Sequence, residues 1–280
     1  MTNLQSINSG SLYIVATPIG NLDDISLRAL SVLKSVDFII AEDTRHSQTL
    51  LQHFGIKKPL TSLHAFNETQ KSQQLLISLE KGQSAALISD AGTPLISDPG
   101  FPLVRLAKKH HILVTPIPGP CALISALSAA GIPCDSFTFT GFLPAKQTAR
   151  IEKLKQLSSI NHTLIFYESS HRIKASVKDM GEVFGENCEM VLAKELTKTH
   201  ERFVDGQSKD ILCWLEADPA HQKGEFVIII APREEKAREY ETILRRLMNE
   251  LPLRKAVDLT SQITLVNKNE IYKTALKMQA

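Results

Sequence analysis

The stretch that decides the fold is ALISDAGTPLISDPG, residues 86–100. It opens on an apolar run that predicts a buried strand, and two Asp-containing turns follow that strand. Gly92 and Gly100 allow the backbone to approach a ligand closely, and two nearby prolines stiffen the turns. Ligands of open α/β sheets bind beyond the carboxyl ends of the strands. The stretch therefore predicts a binding loop in an α/β protein.

Outward from this stretch, apolar runs rich in β-branched residues alternate with amphipathic segments of helical length. Strands are predicted at 12–16, 36–41, 85–89, 112–117, 137–140, 163–167, 189–193 and 226–230. Helices are predicted at 25–34, 68–79, 102–110, 121–130, 146–157 and 171–184. We expect Asp98 to cap the helix that begins around Pro99. The alternation indicates an α/β protein with largely parallel sheets.

Two breaks divide the chain. Proline density peaks in PIPGP at 116–120, and from 233 onward the sequence becomes charged and helical. Within that tail an apolar face near 244–251 is followed by two short predicted helices at 253–262 and 268–278. We therefore predict an N-terminal α/β domain at 1–118, a second α/β domain at 119–232 and a C-terminal helical module at 233–280.

The composition is that of an ordinary globular protein. Hydrophobic residues make up 43% of the 280 and charged residues 22%, which excludes a mainly disordered chain. Basic and acidic residues number 32 and 30, and this balance argues against a surface covered with phosphate-binding charge. A local basic excess lies after residue 250, where five basic residues stand against two acidic ones.

Several classes of protein are disfavoured by what the sequence lacks. No apolar run approaches the ~20 residues of a membrane span, and the N-terminus does not resemble a signal peptide. We therefore expect a soluble cytoplasmic protein with no membrane partner. The four cysteines lie far apart in sequence, which predicts scattered, mostly buried thiols rather than a zinc site or a disulfide framework.

Further loops follow predicted strands. ATPIGNL at 16–22 has one glycine and no lysine, so it matches neither a dinucleotide-binding loop nor a P-loop. PIPGPCA at 116–122 starts a helix with small residues, which leaves the N-terminal amides open to a ligand. In the second half, polar residues at strand edges form three motifs: FYESSHR at 166–172, AKELTK at 193–198 and KGEFV at 223–227.

These motifs, together with LYIVATPIGNL, AEDTRHSQTLL and HAFNE, occur in the order typical of one family. The chain resembles the ribosomal RNA small subunit methyltransferase I family of the tetrapyrrole methylase superfamily, continuously over residues 11–232. The motifs at 42–45 and 89–100 are specific to this branch. The resemblance implies an α/β, two-domain tetrapyrrole-methylase-like fold, that of the class III S-adenosylmethionine (SAM) methyltransferases, with a small C-terminal helical module.

The resemblance also implies a reaction. A homodimeric cytoplasmic enzyme would methylate the ribose 2′-hydroxyl of a cytidine in the decoding region of 16S rRNA, within the small ribosomal subunit. Its cofactor, S-adenosyl-L-methionine, would lie between the two domains, and no metal is expected. The implied cofactor-binding residues are Pro18, Asp90, Ala91, Gly92, Leu95, Ile96, Ser97, Cys121, Ala122, Tyr167, Gly224, Glu225 and Phe226. Relatives often carry Ser in place of Cys121, so only a backbone contact is expected there.

A ribose hydroxyl is a weak nucleophile, so a positioned base or a cation that stabilises the alkoxide should help. Polar residues beyond strand ends of the first domain are candidates for that work. We expect Glu42 or Asp43 to accept the proton, and Arg45 or Lys194 to contact phosphate or alkoxide. His64, Asn67 and Glu68 are the expected substrate-binding residues.

Three other functions are open at this point. The first is a methylase of the same superfamily that acts on a small tetrapyrrole, and the second is a protein-modifying methylase of the diphthine-forming type. Both are disfavoured by the motifs at 42–45 and 96–100 and by the helical tail. The third is a non-catalytic RNA-binding factor in ribosome assembly that keeps the fold. The tail itself fits either RNA docking or a structural cap.

Overall fold

A computed structural model describes residues 8–232 and 235–279. The first half forms a parallel sheet with strand order β3-β2-β4-β1-β5. Its strands are β1 (Ser11–Val15), β2 (Phe38–Ala41), β3 (Leu60–Ser62), β4 (Ala85–Ile88) and β5 (Leu113–Ile117). The inner strands β2 and β4 are buried on both faces, which explains their uninterrupted apolar sequences.

Helices cover both faces of this sheet. They are α1 (Leu27–Ser35), α2 (Thr44–His53), α3 (Glu68–Glu80) and α4 (Phe101–Lys109). Two separate apolar clusters result, one around Leu33 and Ile39 and the other around Leu79 and Leu103. Because the strands are parallel, the loops that leave their carboxyl ends gather along one edge of the sheet.

The second half forms another five-stranded sheet, with order β6-β7-β10-β8-β9. Its strands are β6 (Phe137–Phe142), β7 (Thr163–Ser169), β8 (Glu189–Lys194), β9 (Arg202–Gln207) and β10 (Glu225–Ile230). The helices are α5 (Ala122–Ala129), α6 (Gln147–Leu157), α7 (Ile173–Phe184) and α8 (Ser208–Ala217). A buried ion pair, Arg150 Nε to Asp179 Oδ2 at 2.6 Å, joins α6 to α7.

The expectation of largely parallel sheets is wrong for this second sheet. Of the pairs formed by its described strands, only β6 with β7 is parallel. Strand β10 inserts between β7 and β8 and runs antiparallel to both, and β9 returns antiparallel to β8 after a short connection. Every predicted strand and helix of the two sheets is present, but β3, β9, α2 and α8 were not predicted. Periodicity also does not reveal a late strand that inserts between earlier ones.

The tail folds as a separate helical unit with its own core. Its helices are α9 (Glu235–Glu250), α10 (Leu253–Thr264) and α11 (Lys268–Gln279), which confirms the predicted helical module. Tyr240, Leu244, Val257 and Ile271 are buried together. Residues 233 and 234, where we predicted this module to begin, lie outside the described residues.

The domain limits at 118 and 232 stay predictions, and one packing feature supports the first of them. Helix α5, which follows the proline-rich segment, packs on the second sheet through Leu123 and Leu127.

None of the helices described is long and apolar enough to span a membrane. All four cysteines are free thiols, but only Cys188 is buried, and the expectation of mostly buried thiols is therefore wrong.

Candidate active site

A cavity of about 310 Å³ lies between the two sheets. It receives residues from the loops after β1 and β4, from the start of α5 and from the cavity-facing side of the second sheet. Ten of the thirteen predicted cofactor-binding residues line it: Asp90, Ala91, Gly92, Ile96, Ser97, Cys121, Ala122, Tyr167, Glu225 and Phe226. The cavity falls within the size range of small-molecule sites.

Gly92 lines this cavity and is held by backbone hydrogen bonds to the loop after β1. Its N–H donates to the carbonyl of Thr17 at 3.1 Å, and the N–H of Thr17 donates to the carbonyl of Gly92 at 2.9 Å. Gly92 has φ of +81°, and a Cβ there would lie 3.2 Å from Cγ2 of Ile19. The position therefore demands glycine twice, for its backbone conformation and for the space beside Ile19.

The loop from Leu95 to Gly100 is strained and firmly anchored. Leu95 and Ser97 adopt φ of 71° and 75°, a left-handed conformation that is costly for side-chain-bearing residues and is often found at functional sites. Thr93 Oγ1 donates to the carbonyl of Pro120 at 2.9 Å, which ties the loop to the proline-rich segment. Strand β6 abuts it from the second sheet, where a Cβ on Gly141 would lie 2.9 Å from Ser97 Oγ.

Asp98 does not cap the following helix, so that expectation is wrong. Helix α4 begins at Phe101 with Gly100 as its N-cap, and no side chain caps it. Instead the N–H of Gly100 donates to Oε2 of Glu68 at 2.9 Å. Glu68, an expected substrate-binding residue, thus fixes the end of the loop, while Asp98 is left to line the cavity.

Several carboxylates meet at the edge of the cavity. Burial raises the pKa of Asp98 to about 7, and the negative charges of Glu42 and Asp90 add to this increase. Burial also raises the pKa of Glu42, again with contributions from neighbouring acidic groups. The N–H of Asp43 donates to Asp90 Oδ1 at 3.1 Å. This last contact joins the loop after β4 to the loop after β2.

A second, more open cavity of about 390 Å³ begins on the other side of that contact. Its lining comprises Glu42, Asp43, Thr44, Arg45, Ser62, His64 and Phe66. Asp43 is the N-cap of α2 and accepts a hydrogen bond from the N–H of Arg45 at 2.9 Å. The Arg45 guanidinium also pairs with Asp43 at 3.0 Å, and these bonds lower the pKa of the Asp43 carboxyl to about 2.

The turn at 64–67 places a histidine in the second cavity. Asn67 Oδ1 accepts a hydrogen bond from the backbone N–H of His64 at 3.0 Å. This fixes the orientation of the Asn67 amide, and its nitrogen, Nδ2, then lies 3.1 Å from His64 Nε2. This arrangement makes Nε2 an acceptor and leaves the proton of a neutral ring on Nδ1. Nδ1 is buried and has no hydrogen-bond partner among the described residues.

The second sheet contributes an aromatic wall. The hydroxyl of Tyr167 accepts from the N–H of Leu123 at 3.1 Å, which satisfies one amide at the start of α5. Burial raises the pKa of Tyr167 well above its ordinary value, so the side chain stays a neutral phenol. Phe142 packs edge-on against Tyr167 with ring centroids 5.8 Å apart. The wall is therefore apolar, with its one hydroxyl already engaged.

Three predicted cofactor-binding residues do not line the first cavity. Pro18, Leu95 and Gly224 are next to lining residues in sequence but are absent from its wall. Of the predicted catalytic and substrate-binding residues, Lys194, Asn67 and Glu68 line neither cavity. Lys194 is nearly buried at the end of β8, on the face opposite to the cavity-lining Ala193. A Cβ on Gly224, which has φ of +102°, would lie 2.5 Å from the Glu195 side chain.

Sequence reasoning missed other lining residues. These are Ile19, Thr93, Asp98, Phe142, Glu168, Ser169, Ala193, Leu196 and Val227 in the first cavity, and Thr44, Ser62 and Phe66 in the second. Asp98 and Thr93 stand inside the motif that decided the fold, so their position was a usable signal. The apolar residues of β8 and β10 carry no such signal, because their sequence is that of any buried strand.

Comparison with known proteins identifies the family. The model of the tetrapyrrole (corrin/porphyrin) methylases matches residues 11–212, and that of the RsmI C-terminal HTH domain matches residues 234–279. A ribosomal RNA small subunit methyltransferase I from Escherichia coli O157:H7 is 51% identical over 97% of this chain and 96% of its own length. The chain belongs to the ribosomal RNA small subunit methyltransferase I family. The family's enzyme from Pseudomonas aeruginosa is 49% identical, over 98% of this chain and 99% of its own.

Solved structures agree on the fold. A diphthine synthase superposes with a TM-score of 0.61 at 16% identity, over 79% of this chain and 89% of its own. A cobalt precorrin-4 methyltransferase superposes with a TM-score of 0.57 at 18% identity, over 82% of this chain and 97% of its own. At these identities the likeness establishes the two-domain methylase fold and does not bear on the substrate.

Proposed function

We propose that the chain is a SAM-dependent methyltransferase that methylates the ribose 2′-hydroxyl of a cytidine in the decoding region of 16S rRNA. The observation that carries the proposal is the contact between the two cavities, Asp43 N–H to Asp90 Oδ1. It brings a cavity of small-molecule size beside a more open one that can admit a larger substrate. The near full-length likeness to rRNA methyltransferases supports rRNA as that substrate.

The lining of the first cavity fits S-adenosylmethionine. Ile19, Ala193 and Val227 provide apolar surface for an adenine ring, and Gly92 keeps the loop backbone within reach of it. Asp90 and Asp98 bring negative charge, which complements the positively charged sulfur and ammonium groups of the cofactor. When bound, the cofactor supplies a methyl group on an electron-poor sulfur, which any aligned nucleophile can accept.

We assign Asp98, which lines the first cavity, as the proton acceptor for the hydroxyl. A general base works best with a pKa near the working pH, and the pKa of Asp98 is raised to about 7 by burial. Asp43, one of the two acceptors predicted from sequence, is a weak base because its pKa is held at about 2 by Arg45. Glu42, the other acceptor predicted from sequence, lines the second cavity. We assign it a supporting role, because its negative charge helps to raise the pKa of Asp98.

The proposal also includes the setting in which the enzyme works. We expect it to act in the cytoplasm as a homodimer, on 16S rRNA assembled in the small subunit. A dimer is supported by two exposed apolar residues of the first domain, Leu113 on edge strand β5 and Leu27 at the start of α1.

Methylation of purified small subunits with radiolabelled cofactor tests the proposal. We expect the label to enter 16S rRNA and to map by mass spectrometry to the ribose of one decoding-region cytidine. Label on a base would contradict 2′-O transfer, and label in a protein or only in an added tetrapyrrole would favour the other methylases. Tight subunit binding without transfer would identify an assembly factor instead.

Asp43→Ala and Arg45→Ala should keep the cofactor affinity but lose most methyl transfer, by about 100-fold, because a hydrogen bond to a charged group contributes up to about 3 kcal/mol. Both side chains line the second cavity and neither lines the first, so we expect them to act on the rRNA side. Isothermal titration with the cofactor and single-turnover transfer would be measured for each variant. Lys174→Ala, which removes a similarly exposed ion pair with Glu216, is the matched control. Lost cofactor binding would contradict the assignment to the substrate side.

A further inference from the structure

Phe66 is the most exposed large apolar side chain among the residues described, with 98% of its surface accessible. It stands at the tip of the turn between β3 and α3. Two backbone bonds to the His64 carbonyl, from the N–H groups of Asn67 at 2.9 Å and Glu68 at 3.0 Å, hold that turn. The side chain is therefore presented on a fixed turn and makes little contact with the apolar core.

An aromatic ring that stays in water forgoes favourable burial, so the exposure of Phe66 is informative when the surroundings are polar. The ring of Phe66 lines the second cavity beside Glu42, Asp43 and Arg45, and its centroid lies 6.2 Å from that of His64. An apolar surface of a partner protein would desolvate these charged side chains without pairing them, which is unfavourable. A nucleobase suits this surface better, because its flat face can stack on Phe66 while its polar edge hydrogen-bonds to the charged side chains.

Two further groups in the same cavity suit the rest of a nucleotide. The buried Nδ1–H of His64 has no partner among the described residues, so it is a donor that a bound ligand can satisfy. The side chain of Arg45 is 90% exposed. Its guanidinium is oriented by the bond to Asp43 and can contact a phosphate through its remaining donors. Ring, donor and cation stand together in one open pocket.

We propose that Phe66 is the stacking platform for the base of the target nucleotide, with His64 Nδ1 and Arg45 as its polar partners. The proposal rests on the proposed function and deepens it. A nucleotide that is taken out of a structured RNA loses stacking with its neighbours, and an aromatic side chain restores it. Phe66 then contributes to binding of the rRNA substrate. Methyl transfer takes place at the first cavity, beyond the carboxylates of Glu42, Asp90 and Asp98.

Steady-state kinetics on purified small subunits test this role. Phe66→Ala should raise KM for the subunit by about 10- to 100-fold, since base stacking on an aromatic ring contributes on that scale. It should change kcat by less than threefold. Phe66→Trp should keep KM near that of the wild type, because a larger aromatic face still stacks. The affinity for the cofactor, measured by titration, should be the same in all three proteins.

Phe101→Ala is the matched control, because Phe101 is also an exposed phenylalanine (63%) but lines neither cavity. An unchanged KM in Phe66→Ala, an equal rise in Phe101→Ala, or failure of Phe66→Trp to restore KM would overturn the stacking role. Weakened cofactor binding in Phe66→Ala would overturn it as well. If the wild type transferred no methyl group to subunits, the proposed function would fail, a result distinct from any of these.

A binding experiment gives a readout independent of turnover. An RNA fragment carrying the fluorescent cytidine analogue pyrrolocytidine at the target position should change its emission when the wild-type protein and S-adenosylhomocysteine are added. Phe66→Ala should abolish that change at protein concentrations that still saturate binding of the fragment. The same emission change with Phe66→Ala as with the wild type would show that the base stacks elsewhere.

Discussion

Replacing Gly92 by Val is expected to weaken cofactor binding by about 100-fold, because overpacking a tight site costs up to about 3 kcal/mol and every 1.4 kcal/mol is tenfold in affinity. A single Cβ at this position would already lie 3.2 Å from Ile19, and Val adds two methyl groups beyond it. The paired hydrogen bonds with Thr17 prevent the loop from moving aside without cost. Isothermal titration with S-adenosylmethionine measures the effect.

Part of any loss at Gly92 comes from the backbone, because Val strongly disfavours positive φ. Gly55→Val separates the two causes. Gly55 has φ of +65°, and no atom lies within 4 Å of a Cβ placed there, so this variant carries a backbone penalty without the collision. We expect Gly55→Val to lower the melting temperature and to bind the cofactor normally. Normal binding by Gly92→Val would remove Gly92 from the pocket.

The sequence predicted the loop after β4 because its chemistry is local. A strand, a glycine that needs positive φ and prolines in the turns are all visible within one short segment, and the cavity does form there. Asp98 shows the limit of local reasoning. Its place before a predicted helix suggested a cap, but Glu68 from α3 occupies the relevant N–H of Gly100. Only tertiary structure decides which of two carboxylates reaches that group.

The second sheet shows a limit of a different kind. The wall residues Ala193 and Val227 belong to strands that are apolar on both faces, so their sequence does not reveal which face lines the cavity. Strand β9 alternates buried and exposed residues too weakly to be recognised. The role of Phe66 could not be predicted from the sequence either, although this residue lies in a turn and not in a buried strand. An apolar residue in a polar turn is unremarkable in sequence, and only its near-complete exposure makes it informative.

Asp98→Asn is the most direct test of the chemistry. We expect single-turnover methyl transfer to fall by about 10²- to 10⁴-fold, the usual contribution of a positioned general base. The amide keeps the shape of the side chain but cannot accept the proton of the 2′-hydroxyl. Cofactor affinity should fall far less, because Asp90 still lines the cavity. A variant that lost cofactor binding but transferred normally at saturating cofactor would show that Asp98 serves the cofactor's charge alone.

The pH dependence of the wild type gives a second test of the same residue. Because the base acts in its ionised form and its pKa is about 7, the transfer rate should rise tenfold per pH unit below 7 and level off above it. The rate of Asp98→Asn should lack this rise. Asp205→Asn, which changes an exposed carboxylate on β9, should keep the wild-type profile. A flat wild-type profile through pH 7 would contradict the assignment.

Stability should respond to Asp98 in the opposite direction from activity. The pKa of Asp98 is raised from an ordinary value of 3.8 to about 7, so the folded protein retains a proton that the unfolded chain releases between these values. Folding is then destabilised progressively as the pH rises from about 4 to about 7, because the ionised carboxylate is disfavoured where it is buried. Asp98→Asn has no ionisable group at this position, so its stability does not fall with pH for this reason. Its melting temperature should exceed that of the wild type at pH 8, and the difference should vanish near pH 4. An inactive variant that is more stable at pH 8 would indicate a residue kept for its chemistry at the expense of stability.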